Sequence, residues 1–455
     1  MSLYAKLCER AAQGKPVHVG MIGAGKFGAM FLAQVPRTPA LHLVGVADRS
    51  PANAHASLER VGWNVDQYGA ASLDEALKKG TTHVGEDWEA LIAHPEMDVI
   101  VECTGNPIAA VEHCLPAFKH GKHVVNVTVE ADAFCGPLLA RRAQEAGVVY
   151  SLAFGDQPAL ICDWVDWARG CGFPVVAAGR GHKWLPHYCE STPETVWDFW
   201  GLTAEQAKIG GLNPKMFNSF LDGSKPAIES TAVANATGLE APENGLTFPP
   251  ASMDDLPLVL RPRSEGGKLD KKGVVEVVSS LQLDGTPISN DIRNGVWVCF
   301  EGETEYIRRC FQEYGVRTDP SGRYVCMYRR WHLIGLELGI SVASAALRRE
   351  SIGVATCFNA DVVATAKRDL KVSEMLDGEG GYTVWGKLFP AVKSLNQGGL
   401  PLGLANNLKL VRPVPKGQSL TWEDVAIDES LPAYKVRMEM ERLFAQNVRG
   451  VGVGS

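Results

Sequence analysis

The sequence predicts an α/β protein with a parallel sheet at its N-terminal end, an α+β middle and a small β-rich C-terminal part. Three observations carry this. Short apolar runs alternate with helical stretches as far as Ala153. Beyond it the runs become weakly alternating and are broken by Gly and Pro. From Asp361 onward, short strands recur at close spacing, as in small barrel-like modules.

Val17 to Ile22 is an apolar run ending at Gly23, and Ala24 to Gln34 reads as a helix stopped near Pro36. Leu41 to Ala47, Val99 to Cys103, Val124 to Val129 and Val148 to Ala153 follow as strands, with helices such as Ala109 to His120 and Gly136 to Ala146 between them. This alternation calls for a parallel sheet with right-handed crossovers. Val175 to Gly181, Val274 to Leu283 and Gly295 to Phe300 read as strands of a second sheet, joined through Gly210-Gly211, Gly245 to Pro250 and Gly266-Gly267. Leu333 to Arg348 reads as one helix, with Ile334, Leu338 and Val342 at i+4 spacing, and is expected to pack back on the first domain. Val362 to Lys371, Leu402 to Ala405 and Leu410 to Pro413 read as the strands of the last part. The expected domains are residues 1–155, 156–332 and 360–444.

The 455 residues suit about three domains at roughly 150 each. With 45% hydrophobic and 21% charged residues, the composition is globular. Net charge is −7 and no Lys/Arg stripe occurs, which argues against nucleic acid as a partner. No uncharged apolar stretch of spanning length is present, and Met1 to Lys15 reads as an amphipathic lead-in rather than a secretory signal. The eleven cysteines form no CxxC pair and read as reduced thiols. A cytoplasmic homo-oligomer is expected. The Gly/Val-rich end, Arg449 to Ser455, is set aside as a tail.

Gly23-Ala24-Gly25-Lys26-Phe27-Gly28 is a complete G-x-G-x-x-G that follows a strand and opens a helix. That context makes it a Rossmann dinucleotide fingerprint: one glycine for the turn, one for close approach of amides to a pyrophosphate, one for helix–strand packing. Asp48 stands 20 residues beyond Gly28, at the end of the second strand, where a ribose-binding acid belongs. Arg49 and Ser50 beside it could cradle a 2′-phosphate, which tips the expectation toward NADPH. Thr104, Gly105 and Asn126 close later strands and are expected on the nicotinamide side, with Glu130 nearby.

Polar groups concentrate again in the middle third. Asp156 follows the last Rossmann strand, as a catalytic acid or a helix cap. Gly179-Arg180-Gly181-His182-Lys183 exits a strand, placing His182 and Lys183 where a Lys can polarise a carbonyl. Asn218 to Lys225 leads into a helix over Pro226 to Ala236, with Ser224 as its expected N-cap. Lys225 is expected to anchor a phosphate at that helix start. Glu229, four residues on, pairs with Lys225 or acts as a catalytic acid. Arg329 and His332 add cations suited to an anionic group. No acid or His set shows clear metal-ligand spacing.

The fingerprint, Val101 to Gly105 and Ala232 to Leu239 resemble homoserine dehydrogenase-like NAD(P)-binding oxidoreductases. Tyr150 to Ala159, Ser191 to Trp197 and His332 to Leu347 resemble a narrower group, the 1-deoxy-D-xylulose 5-phosphate reductoisomerase-like oxidoreductases with a C-terminal SAF domain. The likeness runs over about residues 5 to 444. It implies NADPH-dependent conversion of 1-deoxy-D-xylulose 5-phosphate to 2-C-methyl-D-erythritol 4-phosphate in isoprenoid precursor synthesis, inhibited by fosmidomycin. It also implies an SAF module over Val362 to Asp377 and Leu400 to Val425. A divalent metal, Mg or Mn, goes with that chemistry. The Asp-Ser-Glu metal motif of the standard reductoisomerase is not present in this chain, so no metal ligands follow. Two rival readings are a homoserine dehydrogenase-type enzyme and a nucleotide-gated sensor without turnover.

Overall fold

The computed structural model describes residues 2–209 and 212–450, with side chains as far as residue 445. The Gly210-Gly211 connection and the end beyond Gly450 lie outside the described residues. The chain forms two compact units. The first contains the chain up to Asp132, Gly136–Leu160 and His332–Val354; the second contains Ala133–Cys135, Ile161–Trp331 and the chain from Ala355.

In the first unit, β1 (Val17–Ile22), β2 (Leu41–Ala47), β3 (His83–Gly85), β4 (Val99–Glu102), β5 (His123–Asn126) and β6 (Tyr150–Leu152) form one sheet in the order β3-β2-β1-β4-β5-β6. Every pairing in it is parallel. Val17, Val19, Met21, Val99 and Val101 are wholly buried, as strands covered on both faces require. The strand order reverses between β1 and β4, which is where such sheets open a ligand crevice at their carboxyl ends. Helices α1 (Lys26–Gln34), α2 (Pro107–Lys119) and α3 (Val129–Glu145) follow β1, β4 and β5. α3 is kinked at Cys135, two residues before Pro137, so the expected start near Gly136 corresponds to its second half.

The helix Gly339–Arg348 starts six residues later than its apolar spacing predicts. Gly335 is the reason. Its φ is +74°, and a Cβ there would come within 2.7 Å of Met30 Cβ, so the chain turns where a longer helix would pass. Leu338 and Val342 join the core of the first unit. Ser341 Oγ donates to the Leu152 carbonyl (2.9 Å) and accepts from the Phe154 amide (2.8 Å), fixing the helix to the end of β6.

The second unit holds a mixed sheet of β7 (Val175–His182), β8 (Val274–Ser279), β9 (Val296–Glu301) and β10 (Tyr324–Arg329) in the order β10-β9-β7-β8. Helices α4 (Val196–Trp200), α5 (Pro214–Leu221) and α6 (Ser224–Thr237) belong to the same unit. α6 is buried on nearly every side from Pro226 to Asn235, so its sequence shows no polar face. The later strands are β11 (Ala360–Ala366), β12 (Met375–Asp377), β13 (Val384–Pro390), β14 (Asn406–Leu410) and β15 (Val425–Ala426). They form an antiparallel β11-β13 pair and a β12-β14-β15 sheet. Leu402–Leu404, expected as a strand, is a single 3₁₀ turn after Pro401.

The β-rich C-terminal part shares a unit with the central part because α6 is common to both. Asn235 Oδ1 accepts from the Asn359 and Ala360 amides at 2.8 and 2.9 Å, at the head of β11. Lys367 is 4% exposed and pairs with the buried Asp222 at 2.8 Å, just before α6. The C-terminal helix, Pro432–Gly450, is held by Arg437, which is 0% exposed and reaches Asp361 (2.6 Å), Glu441 (2.7 Å) and the Phe134 carbonyl (2.9 Å). No helix among the described residues is long and apolar enough to cross a membrane.

Candidate functional site

At the end of β1 the chain turns on Gly23, whose φ is +91° and whose Cβ, if present, would meet the Cys103 carbonyl oxygen at 2.9 Å. Gly28 sits 3.0 Å, by the same measure, from the Gly23 carbonyl, so any side chain would push α1 off the sheet. Gly25 differs: a Cβ there would meet no protein atom within 4 Å. Gly25 and Lys26 are exposed and Phe27 is half-buried. The first amide of this helix to find a backbone acceptor is that of Ala29, which bonds to Gly25. The amides before it stand at a positive helix end with space in front of them, which is what a dinucleotide pyrophosphate requires. Gly25→Val would fill that space without disturbing a packed neighbour. The variant is expected to fold with near-wild-type stability and to lose NADPH binding by at least about tenfold in a direct titration. Normal binding by the folded variant would relocate the site.

Asp48 accepts from the Ala24 amide through Oδ2 (2.8 Å) and from the Ser50 amide through Oδ1 (2.9 Å). It therefore ties the glycine-rich turn to the end of β2. Arg49 is exposed, and Ser50 is the N-cap of the helix Pro51–Arg60. Thr104 and Gly105 are exposed at the end of β4. They are braced from beneath by Glu102, a wholly buried carboxylate. Thr104 Oγ1 donates to it at 2.6 Å, Thr128 Oγ1 also donates to it, and His113 Nδ1 lies 3.2 Å away. The Gly105 amide donates to Thr128 Oγ1 at 2.9 Å. Sequence reasoning missed Glu102, because an acid inside an apolar strand has no motif of its own.

Asn126 is not presented to a ligand. It is 1% exposed, and its amide donates to the Thr128 carbonyl and to Asp132 at 2.9 and 2.6 Å. Burial pushes the Asp132 carboxyl up to about 7 against these bonds. Asn126 therefore braces the turn after β5 from within. Glu130 lies in the first turn of α3.

In the second unit the residues around the exit of β7 form the richest polar cluster. Gly179 and Gly181 serve the sheet, not a ligand: a Cβ would lie 1.8 Å from the Glu276 carbonyl oxygen and 2.1 Å from that of Ile292. Arg180, 6% exposed, forms an ion pair with Glu229 on α6. Glu229, expected as a catalytic acid or as the partner of Lys225, is thus engaged from β7 by a buried guanidinium. His182 Nε2 donates to the Phe220 carbonyl at 2.6 Å, and burial together with the nearby Arg180 charge holds its pKa well below the ordinary value. His182 is thus a neutral imidazole with its proton on Nε2. Lys183 is half-buried, and its Nζ donates to the Phe199 carbonyl near the end of α4. Burial, and secondarily Arg293, lowers its pKa.

Arg293, in the connection leading into β9, escaped the sequence reading. Its guanidinium lies over the Trp200 ring at 4.6 Å. Phe199 and Trp200 thus hold Lys183 and Arg293 side by side. Nothing in the polar stretch Asn290-Asp291-Ile292-Arg293-Asn294 distinguishes this Arg from a turn residue.

The remaining candidates divide. Asn218 is wholly buried and ties the Ser191 and Gly380 carbonyls together at 2.9 Å each, so it is a brace rather than a substrate ligand. Ser224 is also wholly buried. The N-cap is Gly223, with φ +93°, while Ser224 accepts from the Gly386 amide at 2.8 Å. Lys225 is half-buried in the first turn of α6, and Arg329 is half-buried at the end of β10. Asp156 and His332 belong to the first unit, and the other catalytic and substrate candidates belong to the second. Asp156 Oδ1 accepts from the Gln157 amide at 2.8 Å, at the head of the helix Gln157–Gly170. Among the described residues, no three His, Cys, Asp or Glu side chains gather as a metal site would need. The expected divalent metal thus finds no donor set here, and no step is assigned to one.

Residues 23–152 match the homoserine dehydrogenase NAD-binding domain, and residues 155–338 match the catalytic domain of oxidoreductase DRL. A homoserine dehydrogenase of Pseudomonas aeruginosa is 29% identical over 168 residues, which are 36% of this chain and 32% of that protein. The match thus spans about a third of that relative's length. Among solved structures, a homoserine dehydrogenase from Thiobacillus denitrificans is similar at a TM-score of 0.35 and 20% identity, over 50% of each chain. A probable dehydrogenase from Thermotoga maritima is similar at a TM-score of 0.36 and 15% identity, over 74% of this chain and 90% of its own. The chain thus joins a segment similar to the homoserine dehydrogenase NAD-binding domain to one similar to an oxidoreductase catalytic domain.

Proposed function

We propose that this oxidoreductase is an NADPH-dependent reductoisomerase that converts 1-deoxy-D-xylulose 5-phosphate to 2-C-methyl-D-erythritol 4-phosphate. The observation that supports it best is Lys183: a half-buried ammonium, held by a backbone carbonyl beside a neutral imidazole, in the segment matched by the catalytic domain. Retro-aldol cleavage of the C3–C4 bond, followed by aldol formation of a C2–C4 bond, would give a branched aldehyde phosphate with C3 as the aldehyde. NADPH, when bound, supplies the hydride for that aldehyde's carbon, and a proton goes to its oxygen. Both halves put negative charge on an oxygen that was a carbonyl. Lys183 is the donor aimed at that oxygen, and its lowered pKa makes it the readier proton source. Lys225, in the first turn of α6, supplies a cation for the phosphate. The C-terminal β-rich part is read as the SAF module of this group, acting in assembly or in shaping the site.

The choice of NADPH rests on the end of β2. Both oxygens of Asp48 already take a protein amide, while exposed Arg49 stands beside a helix N-terminus. NADPH is expected to bind more tightly than NADH, with Arg49→Ala narrowing the difference in direct titrations; equal affinities in the wild type would end this assignment. A second reading, a homoserine dehydrogenase-type enzyme, is supported by the match over residues 23–152. Expression in cells lacking their own reductoisomerase, in parallel with cells lacking homoserine dehydrogenase, separates the two. Rescue of the first strain alone is expected; rescue of the second alone would replace this reading.

A further inference from the structure

A charged side chain inside a protein ordinarily finds an opposite charge or a full set of acceptors. Arg180, Arg437 and Lys367 all do, with Glu229, Asp361 and Asp222. Arg293 does not. It is half-buried, its guanidinium rests on the Trp200 indole, and no side-chain hydrogen bond or ion pair engages its five N–H donors among the described residues. Asp291, two residues earlier, spends an oxygen on the Arg293 backbone amide at 2.7 Å. The next cation is Lys183, held on the adjoining residue, Phe199. The neutral His182 adds no counter-charge. Two cations are thus gathered against one short helix, with a rigid aromatic platform fixing the plane of the guanidinium. Two like charges in a half-buried place, with Asp291 acting on Arg293 without pairing to it, are eased when an anion joins them.

We propose that Arg293, laid on Trp200 beside Lys183, is the fork that receives the anionic group of the substrate, a phosphate monoester. This rests on the reading of the substrate as a sugar phosphate. A planar guanidinium can hold two phosphate oxygens at once, whereas an ammonium holds a single point, so the fork sets affinity and orientation while Lys183 remains with the reacting oxygen. The same geometry gives Trp200 a positioning role: it fixes the plane in which the fork lies.

The test is calorimetric titration of the full-length protein with inorganic phosphate, with acetate as the planar comparison, for the wild type, Arg293→Gln, Arg293→Lys and the exposed-site control Arg309→Gln. Saturable phosphate binding that falls about tenfold or more in Arg293→Gln, falls in Arg293→Lys as well, and is unchanged in Arg309→Gln is the expected result. Near-ultraviolet circular dichroism confirms that each variant is folded, and Arg293→Lys, which keeps the charge, serves if Arg293→Gln is not. No saturable phosphate binding by the wild type, equal binding of phosphate by folded Arg293 variants, or preference for acetate would overturn the proposal. Steady-state kinetics with the sugar phosphate separates the two claims. Turnover with an unchanged KM in Arg293→Gln sinks the fork and leaves the reaction standing. Loss of phosphate binding in a protein that does not turn over the sugar phosphate leaves the fork and sinks the reaction.

Discussion

Lys183→Ala is expected to lower kcat by about 10²–10³-fold, with a smaller change in KM and with NADPH affinity near the wild-type value. The size follows from when the interaction acts. The ammonium sits at the exit of β7 with one hydrogen bond to the Phe199 carbonyl and further donors left for a ligand. A ground-state carbonyl gains little from it. An alkoxide or enediolate oxygen gains far more beside a half-buried ammonium. Only the interaction that strengthens along the reaction is lost on truncation, so the loss appears in kcat. Steady-state kinetics on folded protein checks this. A variant with wild-type kcat and KM would return Lys183 to the role of a helix-end clasp for α4.

The largest effect on stability is expected at Arg437. Its side chain is wholly buried and satisfies Asp361 through two nitrogens, at 3.1 and 2.6 Å, as well as Glu441. Desolvation opposes the charge, and the two carboxylates more than offset it, raising the Arg437 pKa above its ordinary value. Arg437→Met would strand Asp361, which is 1% exposed, without its cation. Removing one partner of such a pair costs about 3–5 kcal/mol, whereas replacing both costs much less. Arg437→Met should therefore shift the urea unfolding midpoint strongly downward, and Asp361→Asn added to it should recover part of the loss. A single variant as stable as the wild type would show that the C-terminal helix is not held by this pair.

The first unit was legible because its signals are local. The fingerprint, the apolar runs at β1 and β2 and the acid after β2 each sit within a few residues of one another, and local spacing is what a sequence displays. The polar cluster around the exit of β7 was less legible for the opposite reason. Glu229 reads against Lys225 at helical spacing, and nothing local shows that Arg180, from a strand 49 residues away in sequence, pairs with it. Gly179 and Gly181 looked like room for a ligand and are room for neighbouring strands. Arg293 became visible only once the fold laid it on Trp200. The apolar spacing that joined Leu333 to Arg348 was real, yet one left-handed glycine cut it short. The C-terminal strands looked like a separate module because nothing in their own composition shows that α6 lies against them.

The claim that matters most is the pairing of this cofactor fold with a sugar-phosphate substrate. Purified full-length protein mixed with NADPH and 1-deoxy-D-xylulose 5-phosphate, with the fall of NADPH absorbance followed and the product identified by mass and NMR, tests it directly. The account predicts consumption of NADPH stoichiometric with formation of 2-C-methyl-D-erythritol 4-phosphate, and no turnover with aspartate semialdehyde. Turnover of aspartate semialdehyde to homoserine with none of the sugar phosphate would contradict it.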